Sequence, residues 1–193
     1  MKRHRLHKLD VDEPEAEESG DLITQNGNCV YFYADVSKKS VLQLYGKLAE
    51  ATKFVSGFRN SDPRVYLYIH SDGGCAYSAL AAYAHLQHNP VPVTTIADGF
   101  CASAATLIFV AGKHRIINKH AMLLIHQLRT FFCGRYDELC DEYKNSTRLM
   151  ASMRAVYKSH TSMPDELINK CLSSEEWLGC NECKDYEIAH EIR

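Results

Sequence analysis

The chain has 193 residues and a mass of 21.9 kDa, with 46% hydrophobic, 10% aromatic and 24% charged residues, the balance of one ordinary globular domain. Lys and Arg number 22 against 24 Asp and Glu, so the formal net charge of −2 supplies no global positive field and speaks against nucleic acid as the primary partner. The longest apolar stretches, 106–112 and 121–125, fall far below the ~20 residues of a membrane-spanning helix, which speaks against a membrane.

Residues 1–27 read as a charged tail. Lys2, Arg3, Arg5 and Lys8 precede an acidic run from Asp10 to Asp21, with too little apolar surface to offset the entropy of ordering. The same stretch lacks the apolar core of a secretory leader, so a cytoplasmic setting and free thiols at the eight cysteines are expected. The folded unit is expected over 28–193. Cys29 to Ala34 reads as a strand, and Val41, Leu44, Tyr45, Leu48, Thr52 and Val55 fall at helical spacing behind it. Val65 to Ile69 is a short apolar run of the kind buried in a parallel sheet, and the turn His70-Ser-Asp-Gly-Gly74 feeds an Ala-rich helix over 76–87. Val93 to Ala97 is the next strand, followed by a turn at Gly99 and an apolar, buried helix over 102–111. Ile116-Ile117 and Met122 to Ile125 are further strands. A long helix over 135–159 carries Tyr136, Leu139, Cys140, Tyr143, Leu149, Met150, Met153, Val156 and Tyr157 on one face, a stripe that needs a partner surface. A helix start at Ser162 before Pro164, and a short strand and helix within 177–192, close an α/β fold whose sites collect at the strand C-termini.

Chemistry concentrates at three of those turns. Ser103, within Asp98-Gly-Phe-Cys-Ala-Ser103-Ala-Ala-Thr, stands where a strand hands over to a buried helix, whose N-terminus stabilises a developing oxyanion; a helix N-cap is its competing role. His126 follows an apolar strand directly, and a Ser/His pair needs a third group to orient the imidazole, for which Asp165, Glu175, Glu176 and Asp185 are candidates by position. Gly73-Gly74 supplies backbone N–H groups that a substrate approaches closely, or simply a tight turn. Cys171, Cys180, Cys183 and His190 are spaced C-x8-C-x2-C-x6-H, which reads as zinc only with further paired half-sites nearby. No metal and no cofactor is expected.

Together these segments resemble the proteolytic subunit of the Clp protease (the ClpP family) from Asn28 to Arg193. Tyr66-Leu-Tyr-Ile-His-Ser-Asp-Gly-Gly74 is similar to that family's strand and glycine turn, Gly99-Phe-Cys-Ala-Ser103-Ala to its nucleophile turn, and Leu124-Ile-His126-Gln to its histidine segment. The resemblance implies an α/β fold of the ClpP/crotonase type, built from repeated ββα and βα units with a protruding handle helix at about 135–159. It implies a serine endopeptidase with Ser103 as nucleophile, His126 as base and Glu175 where the family has Asp, the oxyanion resting on the N–H groups of Gly74 and Ala104. It also implies a homo-oligomer of heptameric rings stacked in pairs, peptide or protein substrates, and an AAA+ unfoldase ATPase docking at Tyr66 and Tyr68, for which a buried strand position is the competing role. Asp72 and Leu128 stand where the family has Pro, and the Ser103 to His126 interval is two residues shorter. These departures resemble a divergent member of the kind carried by phages or large viruses. Two further readings stay open: an inert ring subunit, and a crotonase-type acyl-CoA enzyme, which has no need of Ser103 and His126 together.

Overall fold

The computed structural model describes residues 22–57 and 63–193. Strand β1 (Leu22–Asn26) runs antiparallel to β2 (Cys29–Tyr33), and the chain reverses through the two-residue loop Gly27-Asn28, whose first position takes φ 59° and so favours glycine. The expected tail over 1–27 is therefore corrected at its C-terminal end: 22–26 are a strand with Ile23 buried, while the reading of residues 1–21 lies outside the described residues. Helix α1 (Lys38–Ser56) starts from a reciprocal capping box between Ser37 and Ser40 and buries Val41, Leu44, Leu48, Ala51 and Val55, the face the spacing predicts.

Strands β3 (Val65–Ser71) and β4 (Val93–Ala102) pair in parallel with each other, and β3 pairs in parallel with β2. Between them runs α2 (Ala76–Gln87). β3 alternates: Val65, Leu67, Ile69 and Ser71 face the core, whereas Tyr66, Tyr68 and His70 face outward. Only one face is deeply buried, so the apolar run expected to be covered on both sides is a half-covered strand. β4 is longer than the sequence suggests because its two halves take different neighbours. Thr94–Ala97 pair with β5 (His114–Ile117), and Phe100–Ala102 pair with β6 (Met122–Leu124), both parallel. Between β4 and β5 lies α3 (Ala104–Val110), every residue of which is buried.

Helix α4 (Tyr136–His160) divides along its length. Leu149, Met153, Val156 and Tyr157 enter the core, but Tyr136, Leu139 and Tyr143 are exposed, so the single predicted stripe faces the domain only in its C-terminal half. Helices α5 (Asp165–Ser173) and α6 (Cys180–Asp185) and strand β7 (Glu191–Ile192), parallel to β5, complete the chain. Helix precedes strand here, and Pro164 rather than Ser162 takes the N-cap position of α5.

The end of α4 is tied to the C-terminal segment by Arg115, a buried guanidinium that donates to the carbonyls of His160 (2.7 Å), Glu187 (2.7 Å) and Ile188 (2.8 Å). Beside it, His190 accepts the Arg115 backbone N–H at Nδ1 (3.1 Å) and stacks on His114. Burial, then the charge of Arg115 and the neighbouring His114, push the His190 pKa down to about 4. Below about pH 6.5 the unfolded chain gains a proton at this position that the folded chain refuses until about pH 4, so stability falls as pH drops across that window. Denaturant titrations at pH 7 and pH 5 are expected to show that loss, and His190→Gln, which keeps an acceptor but no titrating group, to reduce it.

Candidate active site

Ser103 stands at the junction of β4 and α3 with φ 54° and ψ −126°, one of two non-glycine residues with positive φ among the described residues. Such a conformation costs about 1–3 kcal/mol and persists only where the surroundings over-determine it. It occupies the N-cap position of α3, but its side chain makes no capping hydrogen bond, which removes the competing structural role. Its N–H donates to the Leu124 carbonyl at 2.7 Å, binding the serine turn to the end of β6 two residues before His126. The His126 ring is half-buried, and no hydrogen bond joins it to Ser103 or to a carboxylate among the described residues.

The glycine turn after β3 closes the other side. Gly73 has φ +99°, and a β-carbon there would lie 2.6 Å from the Ser103 Cβ and 3.0 Å from the Ala104 nitrogen, so only glycine lets this backbone lie against the serine. The Gly73 carbonyl accepts from the Val36 N–H (2.6 Å) and the Cys75 N–H donates to the Val36 carbonyl (2.7 Å). A trans peptide plane directs its N–H opposite to its carbonyl, so the Gly74 N–H points away from Val36. Neither this N–H nor that of Ala104 has a backbone acceptor among the described residues. Gly74 and Ala104, named from the sequence as oxyanion donors, thus flank the contact between Gly73 and Ser103, each with an N–H that has no backbone acceptor among the described residues. The sequence points to the Gly73-Gly74 pair but not to which of the two lies against Ser103, and that residue is Gly73.

Glu175 follows α5 in an extended segment. Leu178 and Leu123 exchange backbone hydrogen bonds (2.8 and 3.0 Å) as an antiparallel bridge, and continuing that register three residues sets Glu175 opposite His126. The pairing does not extend so far as a ladder, because the Gln127 N–H bonds the Leu172 carbonyl instead (2.9 Å). The Glu175 carboxylate meets Arg129 at 2.6 Å, with both side chains largely exposed, and Glu176 meets Lys170 at 3.0 Å. Arg129 is a neighbour the sequence does not point to: it is 46 residues away and carries no motif.

The other residues singled out earlier sort clearly. Cys101, two positions before Ser103, is fully buried, and burial pushes its thiol pKa well above the ordinary value, so it offers no thiolate. Among the described residues no group of three or more His, Cys, Asp or Glu side chains is arranged to hold a metal ion. Tyr66 and Tyr68 are half-buried on the outward face of β3, with Tyr68 stacked on Tyr31 at 5.0 Å between ring centroids and its hydroxyl met by Arg193 (3.4 Å).

The sequence profile of the family described as Clp protease matches residues 32–193. The chain belongs to the Clp protease family. It is 29% identical over 130 residues to an ATP-dependent Clp protease proteolytic subunit of Oltmannsiellopsis viridis, covering 66% of this chain and 67% of that protein. The corresponding subunit of Pleurastrum terricola is 29% identical over 132 residues, covering 67% of each. The fold is that of the solved ClpP1 N165D mutant from Listeria monocytogenes, with a TM-score of 0.75 and 22% identity over 86% of this chain and 91% of that one. The Clp family thus sets a ClpP-type protease as the frame for Ser103 and its neighbours.

Proposed function

We propose that this Clp-family chain is a serine endopeptidase that cleaves peptides or unfolded polypeptides inside the chamber of a homo-oligomeric ring. The observation that supports it best is the strained, uncapped Ser103 packed against the glycine turn, with the N–H groups of the neighbouring Gly74 and Ala104 lacking a backbone acceptor among the described residues, a combination with no structural purpose of its own. Ser103 Oγ attacks the scissile carbonyl while His126 takes its proton and then delivers it to the leaving amine. The N–H groups of Gly74 and Ala104 hold the oxyanion, and Glu175 orients His126 once its side chain turns from Arg129. A fluorophosphonate probe is expected to label Ser103. Absence of labelling, or labelling at another residue, overturns the reading.

Two observations favour the inert-subunit alternative: the Glu175 carboxylate is engaged by Arg129, and His126 has no hydrogen-bond partner among the described residues. An ion pair exposed on both sides is worth only ~0–1 kcal/mol, so the contact is readily given up to an imidazole that carries charge in the transition state. Glu175→Gln is then expected to cut turnover by about 10²- to 10⁴-fold with the fold retained. Glu176→Gln, which loses only an exposed contact to Lys170, is expected to be nearly silent. Steady-state cleavage of a peptide substrate checks both, and full activity in the two variants removes the carboxylate from the mechanism.

We also place the ring contact on the N-terminal half of α4, where Tyr136 and Tyr143 are 83% and 75% exposed, and the unfoldase dock on the Tyr66 and Tyr68 face of β3. Tyr143→Glu is expected to leave the subunit folded and to shift light scattering from large particles to smaller ones. Met153→Glu is a different experiment, because Met153 is buried and an unpaired charge there is expected to unfold the subunit at a cost of several kcal/mol, roughly 3 or more.

A further inference from the structure

We propose that Tyr157 is a positioning residue for catalysis, acting through Thr106 on the peptide plane between Ser103 and Ala104; the inference rests on the reading of Ser103 as nucleophile. The Ser103 carbonyl accepts from the Thr106 N–H (3.0 Å) and from the Thr106 hydroxyl (2.6 Å), and that hydroxyl lies 2.7 Å from the Tyr157 hydroxyl. Both side chains are buried, Tyr157 reaching in from the C-terminal half of α4. A hydroxyl has one proton. With the Thr106 proton on the Ser103 carbonyl, Tyr157 donates to Thr106, and burial keeps the phenol protonated by pushing its pKa well above the ordinary value.

The plane held in this way carries the chemistry at its other end. The carbonyl of Ser103 and the N–H of Ala104 belong to one rigid trans peptide, so fixing the first aims the second. The other proposed oxyanion donor is held by the same device, since the Val36 N–H pins the Gly73 carbonyl (2.6 Å) and thereby the Gly74 N–H. Donors set before reaction cost no reorganisation as charge develops, which makes a bond behind the plane matter more to the transition state than to the bound substrate. A tyrosine at this place also needs explaining on packing grounds. Its neighbours along the buried face of α4 are Leu149, Met153 and Val156, and a phenylalanine would bury the same ring without a polar atom to satisfy.

Tyr157→Phe keeps the ring and deletes only the donor. It is expected to lower kcat, and the rate at which a fluorophosphonate labels Ser103, about three- to tenfold, with KM and the oligomeric state unchanged well below the melting temperature. Thr106→Val, which removes the hydroxyl bond to the carbonyl itself, is expected to lose more, and Thr106→Ser, which keeps the hydroxyl, to stay near the parent. Hydrogen exchange of the segment 103–106 is expected to quicken in Tyr157→Phe and Thr106→Val while α2 is unaffected. Loss of thermal stability alone, with kcat, labelling and exchange at 103–106 as in the parent, overturns the proposal. If the parent protein is neither labelled at Ser103 nor able to cleave, the nucleophile reading fails, and exchange at 103–106 alone decides whether Tyr157 holds the turn.

Discussion

Ser103→Ala is expected to abolish peptide cleavage while leaving the melting temperature and the particle size of the parent. The two halves of that result have separate physical origins. The hydroxyl makes no capping hydrogen bond, so its removal breaks no contact within the fold, and alanine keeps the β-carbon that sits against Gly73. The cost of the positive φ is the same for both residues, because it arises between the β-carbon and the backbone. Activity has no such reserve. Members of a nucleophile and base pair act as a unit, and losing the nucleophile removes about 10⁴- to 10⁶-fold of turnover. The thiol two positions away in sequence cannot replace it, since Cys101 is buried with its pKa pushed up, and Cys101→Ala is expected to cleave as the parent does. Cleavage at the parent rate by a pure Ser103→Ala sample would end the serine mechanism for this chain.

The strands that build the site are legible in the sequence because each is a short apolar run closed by a turn, and Val65–Ile69, Val93–Ala97 and Met122–Leu124 all lie where such runs stand. What escapes is set by partners distant in sequence. β4 continues through Asp98 and Gly99 because β6 takes over from β5 along its edge, and no local pattern marks that exchange. β1 is hidden behind an acidic run, although Gly27-Asn28 between two short runs is a hairpin signal that could have found it. In α4 the periodicity shows which face is apolar but not where the domain surface beneath it stops, so Leu139 and Leu149 look alike in sequence and differ in burial. Serine, histidine and the paired glycines announce themselves by residue type at strand ends. The groups that aim them, Val36, Thr106 and Tyr157, act through a backbone N–H or a single hydroxyl from other elements and carry no motif.

Gly73→Ala is expected to damage both stability and turnover. Its β-carbon would lie 2.6 Å from the Ser103 Cβ, 2.7 Å from the Ala102 carbonyl oxygen and 3.0 Å from the Ala104 nitrogen. Backbone and β-carbons cannot rotate away as the tip of a long side chain does, so relief requires moving either the glycine turn or the serine turn. Both movements misalign the groups that must meet at the scissile carbonyl, and φ of +99° adds left-handed strain whichever occurs. Strain and overpacking together are expected to cost about 2–5 kcal/mol of stability. Displacing an oxyanion donor is expected to lower turnover by roughly 10²- to 10³-fold in whatever folds. Gly46→Ala supplies the contrast. A β-carbon there meets nothing within 4 Å on the surface of α1, so it is expected to raise stability by about 0.5–1 kcal/mol through helix propensity, with labelling of Ser103 unchanged. Urea titration and fluorophosphonate labelling of the two variants side by side check the argument. A Gly73→Ala protein as stable as Gly46→Ala and labelled at the parent rate would mean that the glycine turn does not bear on the nucleophile at all.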